Sequence, residues 1–375
     1  MPDLPLVNVY DFEAAALAVL PKPTRDYYFG GANDEITLER NRSAFNSVSL
    51  HYRVLRDIGE RDMSTQVLGL PVGMPILVAP TACHQLAHVD GELATARAAT
   101  AAGTLMILST LSNYAMEDVS REMQGPLWFQ LYVYRDRGVT RDLIKRAEAA
   151  GCRAIVLTVD APVGGQRERD VRNGFRLPEG VVMRNLLPAG EAFAGLDAGA
   201  GGVAAYINAM FDPTISWRDL DWLVAQTTLP VVVKGIVRAD DAVRAWEHGA
   251  QAVVVSNHGG RQLDTSPATI EVLEDITTAL DGRIEVLIDG GIRRGTDVVK
   301  ALAFGARAVL IGRPILWGLA VAGEQGVRRV LEILRHELDV AMALAGCRCI
   351  DEIDIDLVRP PMPPASRPPS RWQPT

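Results

Sequence analysis

The chemistry of this chain is concentrated in the stretch Ser256-Asn257-His258-Gly259-Gly260-Arg261-Gln262-Leu263-Asp264. The apolar run Ala252 to Val255 just before it reads as a buried parallel strand, so these polar residues stand where a strand ends and opens. His258 can take a proton near neutral pH. Arg261, three residues on, carries a planar fork that can hold an anion. A base beside a carboxylate clamp suits chemistry on the carbon next to a carboxylate.

Such residues need a scaffold, and a repeating pattern from about residue 75 supplies one. Each unit is an apolar run, a polar or glycine break, then an amphipathic helix. The runs are Pro75–Ala79, Thr104–Leu108, Leu127–Leu131, Ala154–Val159, Pro230–Val233, Ala252–Val255, Val286–Ile288 and Ala308–Ile311. Helices are expected over Gly91–Ala102, Met116–Glu122, Thr140–Ala150, Trp217–Gln226, Ala239–Glu247, Ala268–Ala279, Gly295–Ala303 and Gly326–Ala343. Eight alternating strands and helices predict an α/β fold of the (β/α)8 TIM-barrel type. A doubly wound sheet is the alternative, but no G-x-G-x-x-G turn follows the first strand. The expected organisation is one domain over residues 1–350, with an N-terminal helical cap over about 1–70, and a Pro-rich tail over 351–375. Asn8 or Asp11 is expected to cap the first helix, and Pro21 and Pro23 to end it. Between strand four and its helix, residues 161 to 215 make an unusually long connection, expected to be a lid or a partly disordered loop.

In such a barrel the functional residues gather at the C-terminal ends of the strands. Those ends read Pro80-Thr81-Ala82, Ser109, Gln130-Leu131-Tyr132, Thr158-Val159-Asp160, Lys234-Gly235, Ser256-Asn257-His258, Asp289-Gly290-Gly291 and Gly312-Arg313. The last two form the usual phosphate-binding pair, where glycines admit a phosphate and Arg293 or Arg313 can pair its charge. The amides and hydroxyls of Gln130, Thr158 and Ser109, with Lys234, fit a flat hydrogen-bonding ring better than a sugar.

Composition narrows the class. The 375 residues are 48% hydrophobic and carry a net charge of −8, enough apolar content for a large core and the wrong sign for a nucleic-acid surface. The four cysteines show no disulfide framework, and Cys347-Arg348-Cys349 lacks the second pair that a metal site would need. His84 and His88 stand four apart but outside any H-E-x-x-H pattern, so no metal is expected. The N-terminus has no basic region or long apolar core, no uncharged run is long enough to span a membrane, and the tail shows no peroxisomal ending. These features set the expectation of a cytoplasmic protein.

The strand ends taken together resemble the FMN-dependent L-2-hydroxy acid oxidase/dehydrogenase family. The matching stretches, in order, are DYYFGGANDEITLERN, APTA, FQLYVY, LTVDAP, RERDVRNGF, LPVVVKG, SNHGGRQLD, DGGIRRGTDV and IGRP, within about Val7 to Leu344. The resemblance implies FMN as cofactor and oxidation of an (S)-2-hydroxy acid to the 2-oxo acid. It implies that His258 is the base, that Asp160 pairs with the imidazolium formed, and that Arg261 and Arg167 hold the carboxylate. Tyr27 and Tyr132 would bond the carboxylate and the hydroxyl or its product carbonyl. Pro80, Thr81, Ala82, Ser109, Gln130, Thr158, Lys234 and Ser256 would surround the isoalloxazine and ribityl parts. Asp289, Gly290, Gly291, Arg293, Gly312 and Arg313 would hold the ribityl chain and phosphate. It further implies a homo-oligomer, a tetramer or octamer.

Departures from the family pattern refine this. Leu111 stands where plant glycolate-oxidising members carry a large Trp, which leaves room for a bulkier substrate, mandelate-like or lactate-like rather than glycolate. Cys83-His84 replaces a common Met-Gln, and His84 is either a pocket-rim residue or a packed one behind it. Ala82, where some relatives with dehydrogenase or monooxygenase behaviour have glycine, leans towards an oxidase that returns its electrons to oxygen and gives hydrogen peroxide. Transfer to a quinone or protein acceptor is the alternative. Two rivals of other classes are a flavin-dependent isomerase on a similar barrel, which does not need both arginines beside the base, and a non-catalytic flavin-binding barrel. Ring reduction by a 2-hydroxy acid separates both from the oxidase.

Overall fold

The computed structural model describes residues 6–186 and 208–359. Eight short strands close into a parallel barrel in chain order. They are β1 (Ile76–Val78), β2 (Met106–Leu108), β3 (Leu127–Leu131), β4 (Ile155–Thr158), β5 (Val231–Ile236), β6 (Ala252–Val255), β7 (Glu285–Asp289) and β8 (Ala308–Ile311). Closure comes from β8 against β1, with Val309, Leu310 and Ile311 opposite Ile76, Leu77 and Val78. The expected (β/α)8 architecture is the one observed.

The continuous apolar runs follow from burial on both faces. Alternate residues divide between two cores. Leu77, Leu105, Ile107, Trp128, Val156, Val232, Val254, Leu287 and Leu310 fill the barrel interior. Their neighbours Ile76, Val78, Met106, Phe129, Ile155, Val233, Val253, Ile288 and Val309 pack with the surrounding helices. Both sets are removed from water, which is why no hydrophilic alternation marks these strands in the sequence.

Three helices precede the barrel: α1 (Val9–Val19), α2 (Lys22–Phe29) and α3 (Ile36–Ser47). Asn8 and Asp11 both act at the first N-terminus: the Asn8 side chain accepts from the Tyr10 and Asp11 amides, and Asp11 accepts back from the Asn8 amide. Pro21 and Pro23 lie past the end of α1, at the start of α2, where a missing N–H costs nothing. The barrel-layer helices are α4 (Gly91–Ala101), α5 (Met116–Glu122), α6 (Arg137–Ala149), α8 (Trp217–Gln226), α9 (Ala239–Glu247), α10 (Thr269–Leu280), α11 (Gly295–Ala303) and α12 (Arg313–Ala345), with the short α7 (Glu168–Asn173) in the long connection after β4.

Three features differ from expectation. The last helix begins directly after β8 instead of at Gly326, and it breaks at Ala322 and Gly323, the latter at φ 56°. The break lets the two segments touch through glycine: a Cβ on Gly318 would sit 2.6 Å from the Gly326 carbonyl. In addition, the hairpin Thr65–Val67/Leu70–Val72 contributes Val67 and Val72 to the barrel interior. The segment from Ile350 continues through two 3-10 turns to a strand, Val358–Arg359, paired with Ser49–Leu50. Packed chain therefore runs on past position 350 to Arg359. The rest of the Pro-rich tail, from 360, lies outside the described residues, as does the stretch 187–207 with Glu191 and Asp197 of the expected lid.

Candidate active site

The strand ends converge on one pocket, and β6 supplies its centre. After Val255 the chain turns through His258, Gly259 and Gly260 at φ 58°, 64° and 74°. Left-handed backbone is unusual for histidine, and here it swings the imidazole over the barrel mouth. The glycines are required by neighbours: a Cβ on Gly259 would lie 2.8 Å from Arg313, and one on Gly260 would lie 2.6 Å from the Leu38 amide nitrogen.

The helical cap is riveted to this turn. Asp264 accepts from the Asp34, Ile36 and Thr37 amides at 3.1, 3.4 and 2.8 Å, which caps the start of α3 with a carboxylate. Asn41 on α3 and Asn257 exchange two amide hydrogen bonds of 2.8 Å each. Gly291 is needed for the same packing, since a Cβ there would fall 1.8 Å from the Asn41 carbonyl oxygen. The cap therefore delivers Tyr27 to the pocket at a fixed height.

His258 Nδ1 lies 2.7 Å from Asp160 Oδ1. A carboxylate can only accept, so Nδ1 carries the ring proton and Nε2 is left as a free base for the pocket. Burial, first, lowers the His258 pKa below the ordinary histidine value; Asp160 pulls it back up, while Lys234 and Arg167 add to the depression. Burial works against the Asp160 charge, but His258 and then Lys234 overcome it and hold that carboxyl below its usual range. At neutral pH the pair is a neutral imidazole on an ionised carboxylate, poised to accept a proton.

Opposite stands a cationic clamp. Arg261 donates to the Tyr27 and Gly30 carbonyls at 2.5 and 3.1 Å, and its guanidinium lies 5.0 Å over the Tyr27 ring. That ring stacks in turn on Phe175 at 4.5 Å. Arg167 is buried with its Nε unpartnered. Burial and then Arg167 bring the Arg261 pKa down to about 10, outweighing the upward pull of Tyr27 and Asp170. Tyr27 is pushed up to about 12 and Tyr132 higher still, both chiefly by burial, so both phenols stay protonated donors. The Tyr132 ring is held by Phe211, stacked at 4.3 Å.

The other half of the pocket gathers the residues expected to hold a ring and a phosphate. Pro80, Thr81, Ala82, Ser109, Gln130, Thr158, Lys234, Asp289, Gly290, Gly291, Arg293, Gly312 and Arg313 all line it. Gln130 Oε1 accepts from the Thr110 amide and the Ser109 hydroxyl, which turns its NH2 group outward. Gln130 Nε2, Thr158 Oγ1, Asp289 Oδ1 and Arg293 Nε are buried with no protein partner. Four unmatched donors and acceptors at three strand ends fit a planar polar ring with a ribityl chain. Lys234 donates to Ser256 Oγ at 2.9 Å and pairs with Asp289 at 3.1 Å. Burial works against its charge, but Asp289 and Asp160 raise its pKa, so it stays an ammonium. The start of α12 at Gly312 and Arg313 adds a helix N-terminus for a phosphate.

Two expected residues sit differently. Ser256 is absent from the pocket wall; its hydroxyl accepts from Lys234 and from the His258 amide at 3.1 Å, and so joins base and lysine from behind. Arg313 donates to the Tyr28, Gly259 and Gly30 carbonyls, which makes it a tie between cap and barrel as well as a wall residue. Residues to which the sequence reading assigns no particular role are Asn41, Asn257, Asp264, Phe175, Phe211 and Gln262. Gln262 Nε2 donates to the Asp160 and Val163 carbonyls and its Oε1 accepts from the Gly165 amide, pinning the start of the long connection to the catalytic turn. Only their place inside SNHGGRQLD could have marked Asn257, Gln262 and Asp264. Among the described residues no group of three or more His, Cys, Asp or Glu is placed to hold a metal, and both His84 ring nitrogens are engaged by threonines.

A parallel barrel with a phosphate-and-ring cradle on one side and a His–Asp base facing an arginine clamp on the other defines a flavin-dependent oxidoreductase acting on a carboxylate substrate. Residues 16–360 match the FMN-dependent dehydrogenase family, to which this chain belongs, and its cofactor is FMN. The L-lactate oxidase of Nostoc sp. is 51% identical over 93% of this chain and 96% of that protein. Glycolate oxidase 3 of Arabidopsis thaliana is 49% identical over 93% and 94%. A solved structure of mandelate oxidase with (S)-4-hydroxymandelic acid superposes with a TM-score of 0.89 at 45% identity, covering 94% of this chain and 98% of that one.

Proposed function

We propose that the protein oxidises an (S)-2-hydroxy acid to the 2-oxo acid and passes the electrons to oxygen, releasing hydrogen peroxide. The observation that carries this reading is His258, made a pocket-facing base by its 2.7 Å bond to Asp160, opposite the half-buried Arg261 and the buried Arg167. FMN, when bound, accepts two electrons from the substrate and returns them to the acceptor.

The chain's own residues do the rest. Arg261 and Arg167, with the Tyr27 hydroxyl, hold the substrate carboxylate, whose negative charge pairs with the two guanidinium groups. The Tyr132 hydroxyl donates to the substrate hydroxyl oxygen and then to the product carbonyl. Nε2 of His258 takes the proton as the substrate is oxidised, and Asp160 stabilises the imidazolium that results. Gln130, Thr158 and Ser109 hold the ring; Lys234 stabilises negative charge on it after reduction. Asp289, Gly290, Gly291, Arg293, Gly312 and Arg313 hold the ribityl chain and phosphate.

Leu111, on the pocket wall, sets the side-chain end. A leucine leaves space for a methyl or phenyl substituent, so lactate-like or mandelate-like acids are favoured over glycolate. No helix among the described residues is long and apolar enough to cross a membrane, which fits the proposed cytoplasmic site. Exposed Tyr52, Val54, Leu55 and Leu344 support a homo-oligomer, with Arg53 bonding Ala345 to bring their segments together. The test is anaerobic bleaching of the bound flavin by glycolate, lactate and mandelate, followed by reoxidation with oxygen, quinone or dye. No bleaching by any 2-hydroxy acid would remove the proposal, and reoxidation by quinone but not by oxygen would move it to a dehydrogenase.

A further inference from the structure

Behind the cofactor wall lies a histidine that the mechanism does not use. His84 is only 1% exposed. Its Nε2 is 2.6 Å from Thr81 Oγ1, and its Nδ1 is 3.0 Å from Thr95 Oγ1. The Thr95 hydroxyl donates its one proton to the Gly91 carbonyl at 3.3 Å. It can therefore only accept from His84, so the ring proton resides on Nδ1. Nε2 is then an acceptor, and the single proton of Thr81 is spent on it. Burial brings the His84 pKa down to about 4, against an upward pull from the Thr81 backbone, so the ring is neutral near neutral pH. Glu92 holds the turn in place, its Oε1 accepting from the His84 and Asn113 amides at 3.1 Å each. Thr81 stands on the pocket wall, so the hydroxyl whose proton His84 takes belongs to a residue of the cofactor half.

We propose that His84 is a positioning residue that makes Thr81 an acceptor-only contact for FMN and so favours the reduced cofactor. Two-electron reduction of a flavin adds an N–H donor where the oxidised ring has an acceptor nitrogen. A wall that can only accept is matched to the reduced ring and mismatched to the oxidised one. A threonine free to rotate would serve either state equally. This rests on the reading of the pocket as an FMN site.

Two measurements on the holoenzyme test it. In protein labelled with ¹⁵N-histidine, the His84 resonances, assigned by their loss in His84→Leu, should report a neutral ring protonated at Nδ1. A ring protonated at Nε2, or an imidazolium, overturns the proposal. The midpoint potential of the bound flavin is the second readout. His84→Leu frees the Thr81 proton, and the reduced-to-oxidised ratio at a given potential should fall about tenfold, a shift of about 30 mV to more negative values for a two-electron couple. In a Thr81→Val background the same His84→Leu change should move the potential no further. A yellow His84→Leu protein with an unchanged potential, or equal shifts in both backgrounds, refutes the role of His84 and leaves the FMN reading standing. A colourless wild-type protein overturns both.

Discussion

Replacing Asp160 by asparagine separates charge from shape at the proposed base, His258. Asparagine keeps an oxygen that can accept from His258 Nδ1 at the observed 2.7 Å, but it cannot balance an imidazolium. Two unit charges about 4 Å apart interact by about 4 kcal/mol at an effective dielectric near 20. Retained hydrogen bonding and water entry recover part of that, leaving a loss of about 3 kcal/mol, or about 10²-fold in the rate of substrate-dependent flavin reduction. The pH profile carries the sign. Asp160 raises the His258 pKa against the depression from burial, so its removal lowers that pKa further and moves the acid limb of the profile to lower pH, beneath a lower plateau. Asp160 does not line the pocket, so FMN should remain bound. The assay is anaerobic stopped-flow bleaching from pH 5 to 8 for both proteins. A plateau within threefold of wild type, or an acid limb that moves upward, would refute the argument that Asp160 acts through the charge on His258.

Three further outcomes follow from the same geometry. Arg261→Lys keeps the charge but loses the planar fork, of which Nη1 bonds the Tyr27 and Gly30 carbonyls and the rest is left for a carboxylate, so single-turnover efficiency with a carboxylate substrate should fall at least tenfold; an unchanged value removes the clamp role. Leu111→Trp should shift relative kcat/KM towards glycolate, because each excluded methylene forfeits about 0.8 kcal/mol of burial; an unchanged ranking among glycolate, lactate and mandelate shows that other walls set the size. Asp264→Ala strips the acceptor from three amides at the start of α3 and should cost about 2–3 kcal/mol in urea unfolding, with the cap loosening first; a loss below about 0.5 kcal/mol contradicts the rivet.

Much of this architecture is legible because burial leaves a plain signal. The runs Leu127–Leu131, Ala252–Val255 and Ala308–Ile311 coincide with their strands, since a strand covered on both faces is apolar throughout and stops where it meets the polar mouth. Trp217–Gln226 begins at a serine-and-aspartate capping box, and the chain's local preference and its tertiary role agree there. The last helix was harder to place: Gly312 and Arg313 read as the close of a phosphate loop, while the structure uses them to start a helix whose break at Gly323 hides in an apolar stretch. The site divides in the same way. His258, Arg261 and Lys234 announce their chemistry by residue type. The contacts that aim them, such as Asn41 with Asn257 or Phe175 with Tyr27, join residues far apart in the chain and leave no mark on local pattern. His84 shows the limit most sharply, for its meaning depends on the direction of a proton set by Thr95 and Gly91.

The central claim is that His258 removes a proton from a 2-hydroxy acid beside bound FMN. It is tested most directly by single-turnover reduction of wild-type and His258→Gln proteins, each shown by extraction and mass analysis to hold FMN. The account predicts that the wild type forms one 2-oxo acid for each flavin bleached, while the variant stays yellow with FMN in place and bleaches at least about 10²-fold more slowly. Bleaching of the His258→Gln protein at the wild-type rate would contradict it.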